Sequence, residues 1–423
     1  MSLHALRGMN DILPPEISLW QEVEQKAREL FARYRYEEIR TPLLEEMGLF
    51  TRSIGDTTNI VEKEMYVFQD RNDKWVALRP EGTASVIRAY VEHNIANENP
   101  VARYYYMGPM YRHERPQKGR YRQFYQLGVE VIGIASPRLD AEVIHMLDLF
   151  FKNLGLKNVE LEINSLGCPI CRPKFLGLFL DFLRKNEGGL CTDCRRRMER
   201  NSLRALDCNN EGCRQLTAEG PSIQESLCRD CEENFDKVIE TLGLLGTCYR
   251  INPKIVRGLD YYIRTTFEFT SSGLGAQNAL AGGGRYDGLI RLMGGPNAPG
   301  LGFAIGMERL IETLKQERGQ PKEVTRRGVF IASLGEKALM EALRLSSELR
   351  SAGLTVDMDH EGKSLKSQMR YADKTGARYV VIVGDDEIKK KKAALRDLSS
   401  QAQGEVAFGD LAAHLKQADL TER

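Results

Sequence analysis

Residues Tyr111 to Gly133 read YRHERPQKGRYRQFYQLGVEVIG. The stretch opens with Arg112 and Glu114, passes through a basic, glycine-containing loop, and ends in a segment alternating with period two from Gln123 to Val131. That period belongs to a β-strand, so Phe124, Gln126, Gly128 and Glu130 share one face. An aromatic ring, an amide and a carboxylate make a poor core stripe and a good wall for a small polar ligand. The plainer reading is a charged hairpin on a surface sheet.

The cysteines form a second set. Eight of nine lie between positions 168 and 231, as Cys168-x-x-Cys171, Cys191-x-x-Cys194, Cys208-x4-Cys213 and Cys228-x-x-Cys231. Such pairs suit structural zinc, and eight thiols allow two four-cysteine sites or one site with spare thiols. The tight spacings favour Cys191, Cys194, Cys228 and Cys231 as ligands, with Cys208 and Cys213 between them. Scattered reduced thiols are the alternative. A redox pair is disfavoured because no thioredoxin-like βαβ pattern surrounds it. Cys248 is expected to be a buried apolar residue.

Regular elements must position these groups. Ile17, Trp20, Val23, Ala27, Leu30 and Phe31 have helical spacing. Extended segments are expected at Glu38–Leu43, Trp75–Leu78, Arg103–Met107, Arg122–Ile132, Val159–Asn164 and Tyr262–Thr270, with helices at Thr83–Tyr90 and Ala141–Leu154. Residues 168–246 are rich in Cys, Arg and Asn and read as a mostly helical insertion. Its arginines Arg195, Arg196, Arg197, Arg200 and Arg204 fit either nucleic-acid phosphates or a solvated helix side. A charged linker with Gly and Pro spans about 315–327, after which strands and helices alternate, the mark of a small α/β sheet.

A length of 423 residues fits roughly two to four domains. The net charge of +1 means that a nucleic-acid partner must be held by local basic patches. No signal peptide and no membrane span are recognised. A cytoplasmic protein is expected, in which cysteines stay thiols or bind metal.

The Tyr111–Gly133 stretch resembles motif 2 of the class II aminoacyl-tRNA synthetases. Arg40-Thr-Pro42 to Phe68 is similar to motif 1 and Gly302–Leu310, GFAIGMERL, to motif 3. Leu78-Arg-Pro-Glu81-Gly-Thr83 resembles the amino-acid-binding loop. Val256–Tyr262 and Ala281–Gly288 resemble the two segments peculiar to the histidyl-tRNA synthetase family, and the motifs cover nearly the whole chain in order. The resemblance implies an α+β fold: a class II antiparallel sheet flanked by helices in residues 1–325, interrupted by the insertion, and a C-terminal α/β anticodon-binding domain at 327–423.

It also implies ATP-driven activation of histidine and transfer to tRNA(His), by a homodimer with Pro42 at its interface. That chemistry brings a carboxylate to a phosphate, so fixed arginines should carry most of it. The resemblance assigns Arg112 to the α-phosphate, Arg257 to the reacting carboxylate and α-phosphate, and Arg309 to the adenine and terminal phosphates. Phe124 would stack on adenine beside Arg309, and Glu114 would accept from its amino group. Glu81 and Thr83 would hold the ammonium of histidine, with Gly82 between them also in the histidine site, Gln126 its backbone groups, and Glu130 with Tyr262 its imidazole, while Tyr261 and Tyr286 complete the wall. Arg115, Gln117, Lys118 and Arg120 would meet tRNA, as would Lys363, Lys366, Gln368 and Arg370. Mg²⁺ would come with ATP, held largely by phosphate and water. No Walker loop occurs. A non-catalytic relative, the histidine-sensing regulatory subunit of ATP phosphoribosyltransferase, is the alternative. It would not need the arginine set or the C-terminal domain.

Overall fold

The helical spacing near the start builds helix Glu16–Arg33, whose Trp20, Val23, Ala27, Leu30 and Phe31 are buried. The computed structural model describes residues 3–55, 58–206, 208, 210–256, 259, 261–273, 278–319 and 326–420. Two compact units result, Met1–Gly319 and Gln320–Arg423.

In the first unit, strand β1 is Glu37–Glu38, followed by β2 (Leu44–Glu46), β3 (Tyr66–Gln69) and β4 (Trp75–Leu78). The last three form a small antiparallel sheet ordered β2-β4-β3. Then come β5 (Ala102–Tyr111), β6 (Gln123–Ile132), β7 (Val159–Ser165), β8 (Arg250–Ile251), β9 (Ile263–Ser271), β10 (Ala279–Arg285) and β11 (Gly300–Gly306). The central sheet is ordered β1-β5-β6-β11-β10-β9-β7-β8. Its six inner strands pair antiparallel and the two short edge strands parallel. The expected α+β arrangement is the one found.

Helices Glu16–Arg33, Pro137–Asn153 and Met307–Arg318 bury their apolar residues in one core with the sheet. Helix Pro137–Asn153 starts where it does because the Ser136 side chain accepts from the Arg138 N–H at 3.3 Å, with Pro137 in the first turn. Its Asp140 pairs with fully buried Arg285 of β10. An ion pair so deep survives only because further acceptors, the Ile134 and Ser136 carbonyls and Asp287, engage the same guanidinium.

The insertion has its own core around Phe175, Phe179 and Leu183. Helix Arg229–Leu244, read from sequence as part of the insertion, instead packs Phe235, Val238 and Leu242 into the main core. Cys248 is exposed, contrary to expectation. The Gly282–Gly284 run lies within β10.

The second unit has a mixed sheet of β12 (Val329–Ser333), β13 (Val356–Met358), β14 (Tyr379–Val383), β15 (Lys392–Asp397) and β16 (Gln403–Ala407), ordered β13-β12-β14-β15-β16. Its parallel part, β13-β12-β14, contains the alternation read from sequence, and β15 and β16 add an antiparallel edge. Gln368 was expected to meet phosphate. It is buried, and its amide bonds the Ser333 backbone on β12 at 2.8 and 3.0 Å.

Candidate active site

Phe124 and Gln126 of β6 face a cleft. Glu81, Thr83, Arg112, Glu114, Tyr261, Tyr262 and Arg309 also line it, so most of the expected site residues converge. Arg257 and its neighbours Gly258 and Asp260 lie outside the described residues.

Arg112 donates from Nε to the Pro80 carbonyl at 2.9 Å, and its guanidinium carbon stands 5.2 Å from the Phe124 ring centre. The cation over the Phe124 ring is Arg112. Arg309 reaches across the cleft instead. Its Nε donates to Gly119 at 3.0 Å and its Nη1 to Ala279 of β10 at 2.8 Å. Gly119 makes this approach possible, with φ +72° and its missing Cβ only 3.2 Å from Arg309 Cγ. Burial and then the Arg120 and Arg112 charges depress the Arg309 pKa. Such crowding of cations marks a place prepared for an anion.

Of the loop residues expected to touch tRNA, Arg120 lines the cleft and pairs with Glu114. Glu114 therefore faces a guanidinium rather than standing ready for an adenine amino group. Lys118 pairs with Glu312 at 2.7 Å, and Arg115, Gln117 and Lys118 are exposed.

The deep end is built on helix Thr83–Glu92. The Glu81 carboxylate accepts from the N–H groups of Thr83 and Ala84 at 2.7 and 2.9 Å, capping that helix, and burial raises its pKa. The Thr83 hydroxyl donates to Glu130 at 2.6 Å, and the Tyr286 hydroxyl donates to the other Glu130 oxygen at 2.5 Å. Glu130 is fully buried, and desolvation pushes its pKa up to about 8. It does not line the cleft, and neither do Gly82 and Tyr286. These three stand behind the residues that line it.

Gly82 and Gly128 admit the ring of Tyr106, since a Cβ at either would lie 2.3 or 2.2 Å from it. Among the described residues, Tyr106 Oη, Tyr261 Oη and Gln126 Oε1 are buried without a hydrogen-bond partner. Buried polar atoms of this kind call for a polar ligand. Sequence reading missed Tyr106, although Gly128 directly opposite it was a usable sign of a large neighbour. It also missed Glu308, which accepts from the Tyr125 N–H at 2.9 Å and whose pKa burial raises to about 7.

An antiparallel sheet carrying a cleft lined by Arg112 and Arg309 is the arrangement that the resemblance to class II aminoacyl-tRNA synthetases implies. The sequence profile described as Histidyl-tRNA synthetase matches residues 8–168 and 197–310, and that described as Anticodon binding domain matches 328–418. A histidine–tRNA ligase of Geobacter sulfurreducens is 52% identical over 401 residues, 95% of this chain and 96% of that protein. An apo histidyl-tRNA synthetase from S. aureus superposes with a TM-score of 0.83 at 33% identity, covering 98% of this chain and 99% of that one. A Bacillus halodurans protein described as an ATP phosphoribosyltransferase regulatory subunit/histidyl-tRNA synthetase shares the fold at a TM-score of 0.67 and 20% identity, covering 91% of this chain and 99% of that one. The chain belongs to the histidyl-tRNA synthetase family.

Proposed function

We propose that the chain is a histidine–tRNA ligase. It joins histidine to ATP as histidyl-adenylate, releasing pyrophosphate, and then passes the histidyl group to the 3′-terminal adenosine of tRNA(His). The observation that carries this reading is the meeting of Arg112 and Arg309 with the unpartnered Gln126 and Tyr261 atoms in one cleft. The arginines suit phosphate and the polar atoms suit an amino acid. Tyr262 and Glu81 add a phenol and a carboxylate, while Glu130 acts through Thr83 and Tyr286. Arg257 joins the arginine set by resemblance.

Magnesium supplies charge neutralisation on the ATP phosphates. The cleft carboxylates Glu81, Glu114 and Glu308 are engaged by the Thr83 and Ala84 N–H groups, by Arg120 and by the Tyr125 N–H. They form no dedicated cage, so an ion held mainly by phosphate and water fits best.

Residues 1–325 form the catalytic part and 327–423 bind the anticodon arm. The working form is a homodimer. On the small sheet, register places Leu44, Tyr66, Phe68, Val76 and Leu78 on one face, with Glu46 the one charged residue among them. Leu44 and Phe68 are 46% and 44% exposed, while Ala77 on the opposite face is buried. An apolar face of this kind, within motif 1, fits a second copy of the chain. No helix among the described residues is long and apolar enough to cross a membrane, and the cytoplasm is the compartment that fits tRNA charging.

Pyrophosphate exchange with each of the twenty amino acids tests the assignment. Exchange with histidine alone is expected. No exchange with any of them returns the regulatory-subunit reading.

A further inference from the structure

We propose that the insertion is held by two closed zinc sites, one of Cys168, Cys171, Cys228 and Cys231 and the other of Cys191, Cys194, Cys208 and Cys213. This replaces the ligand set read from sequence, because Cys191 and Cys194 fall in a different group from Cys228 and Cys231. Within each group all four sulfurs lie within 4.8 Å of one another. Cys168 Sγ is 3.7 Å from the sulfurs of Cys171 and Cys228, Cys171 is 3.8 Å from Cys231, and Cys191 is 3.8 Å from Cys208. A tetrahedral ion with Zn–S of about 2.3 Å requires sulfurs about 3.8 Å apart. A disulfide would need about 2.05 Å. A multi-iron cluster divides its four cysteines between two or more metals and spreads the sulfurs beyond the edge of one tetrahedron.

The donor set is all thiolate, which excludes hard cations. Backbone N–H groups are also aimed at the sulfurs. Cys168 N donates to Cys171 Sγ at 3.1 Å and Ile170 N to Cys168 Sγ at 3.4 Å. Cys191 N donates to Cys213 Sγ at 3.1 Å and Asn210 N to Cys208 Sγ at 3.4 Å. Such donors are the outer hydrogen bonds that hold ligand sulfurs in place around a metal. The arrangement occurs twice on separate segments.

The two sites do different work. The first joins residues sixty apart in sequence, at the point where the chain leaves β7 and where helix Arg229–Leu244 returns it to the main core. Gly167 has φ +66°, and a Cβ there would meet Cys171 Sγ at 2.8 Å. Both ligand turns grip the segment after Tyr261. Arg172 donates to the Tyr262 carbonyl at 2.9 Å, and Asp230 accepts from Arg264 at 2.6 Å. Tyr262 lines the cleft, so the first ion buttresses the pocket wall. The second site closes the insertion's own core, against which Val256 also packs.

Full-length protein purified without chelator and dialysed against metal-free buffer should hold about two zinc ions per chain. The double variants C228S/C231S and C208S/C213S should each hold about one. One equivalent or less in the parent protein, or iron in place of zinc, overturns the proposal. If either variant fails to fold, zinc-edge X-ray absorption on the parent protein decides: four sulfur neighbours at about 2.3 Å are expected, and nitrogen or oxygen neighbours overturn it. The buttress rests on the cleft being the histidine site, whereas the metal count does not. C228S/C231S should raise the histidine KM several-fold in pyrophosphate exchange, with C208S/C213S near the parent value. Equal KM values in the two variants overturn the buttress.

Discussion

Tyr286 donates a 2.5 Å hydrogen bond to Glu130, and both side chains are fully buried. This pair, with Thr83 on the other carboxylate oxygen, ties β6, β10's outgoing chain and the helix behind Glu81 into one unit. The cleft wall is therefore braced by a carboxyl group buried behind it.

A pH dependence follows. Burial raises the Glu130 pKa from its ordinary 4.5 to about 8, so its neutral form is the one that folding favours. The associated stability is fully present below about pH 4.5 and is lost as pH rises through about 8. Each pKa unit is worth about 1.4 kcal/mol, so the swing is on the order of a few kcal/mol. Glu130→Gln, a neutral isostere, should shrink the loss of unfolding free energy between pH 5 and pH 8 in urea titrations. An unchanged pH slope would remove Glu130 as its source.

Gly302→Ala should damage the same brace. A Cβ at Gly302 would lie 2.0 Å from Glu130 Oε2 and 2.5 Å from the Val129 carbonyl, and the backbone oxygen cannot easily yield. Overpacking of this kind costs typically about 1–3 kcal/mol or more. The thermal midpoint should fall and histidine binding weaken; a midpoint equal to the parent's would show that the brace has slack.

Arg309→Lys should keep charge and lose function. Arg309 bridges Gly119 and Ala279 with two different nitrogens, a span that a single ammonium cannot reproduce. Loss of one such charge-stabilising group costs about 10² to 10³ in kcat. Histidine-dependent pyrophosphate exchange near the parent rate would assign Arg309 to structure alone.

The double variant L44E/F68E should weaken the dimer. Both side chains sit on the uncovered face of the small sheet. Analytical ultracentrifugation should give twice the 47.9 kDa chain mass for the parent and a shift toward one chain for the variant. A parent that sediments as a single chain at micromolar concentration would rule out the dimer.

Removing the second unit after Gly319 should separate the two half-reactions. The first unit has its own core, so adenylate formation should persist while charging of tRNA(His) falls steeply. Charging efficiency equal to the parent's would refute the anticodon assignment of residues 327–423.

Local pattern settled much of this protein. Period-two alternation gave β6, apolar spacing gave helix Glu16–Arg33, and alternating elements gave β12, β13 and β14. These are readable because strand and helix periods act over a few residues. Partner choice was not readable. Cys228 and Cys231 join Cys168 and Cys171, not the nearer Cys191 and Cys194, because the helix they begin is drawn into the main core beside β7. Glu130 shares a strand face with Phe124 and Gln126, yet Thr83 and Tyr286 close over it from other elements. Gln368 lies on a basic helix but turns inward to the Ser333 backbone. Spacing fixes which way a side chain points from its own backbone; long-range packing, which sequence periods do not encode, decides what it meets there.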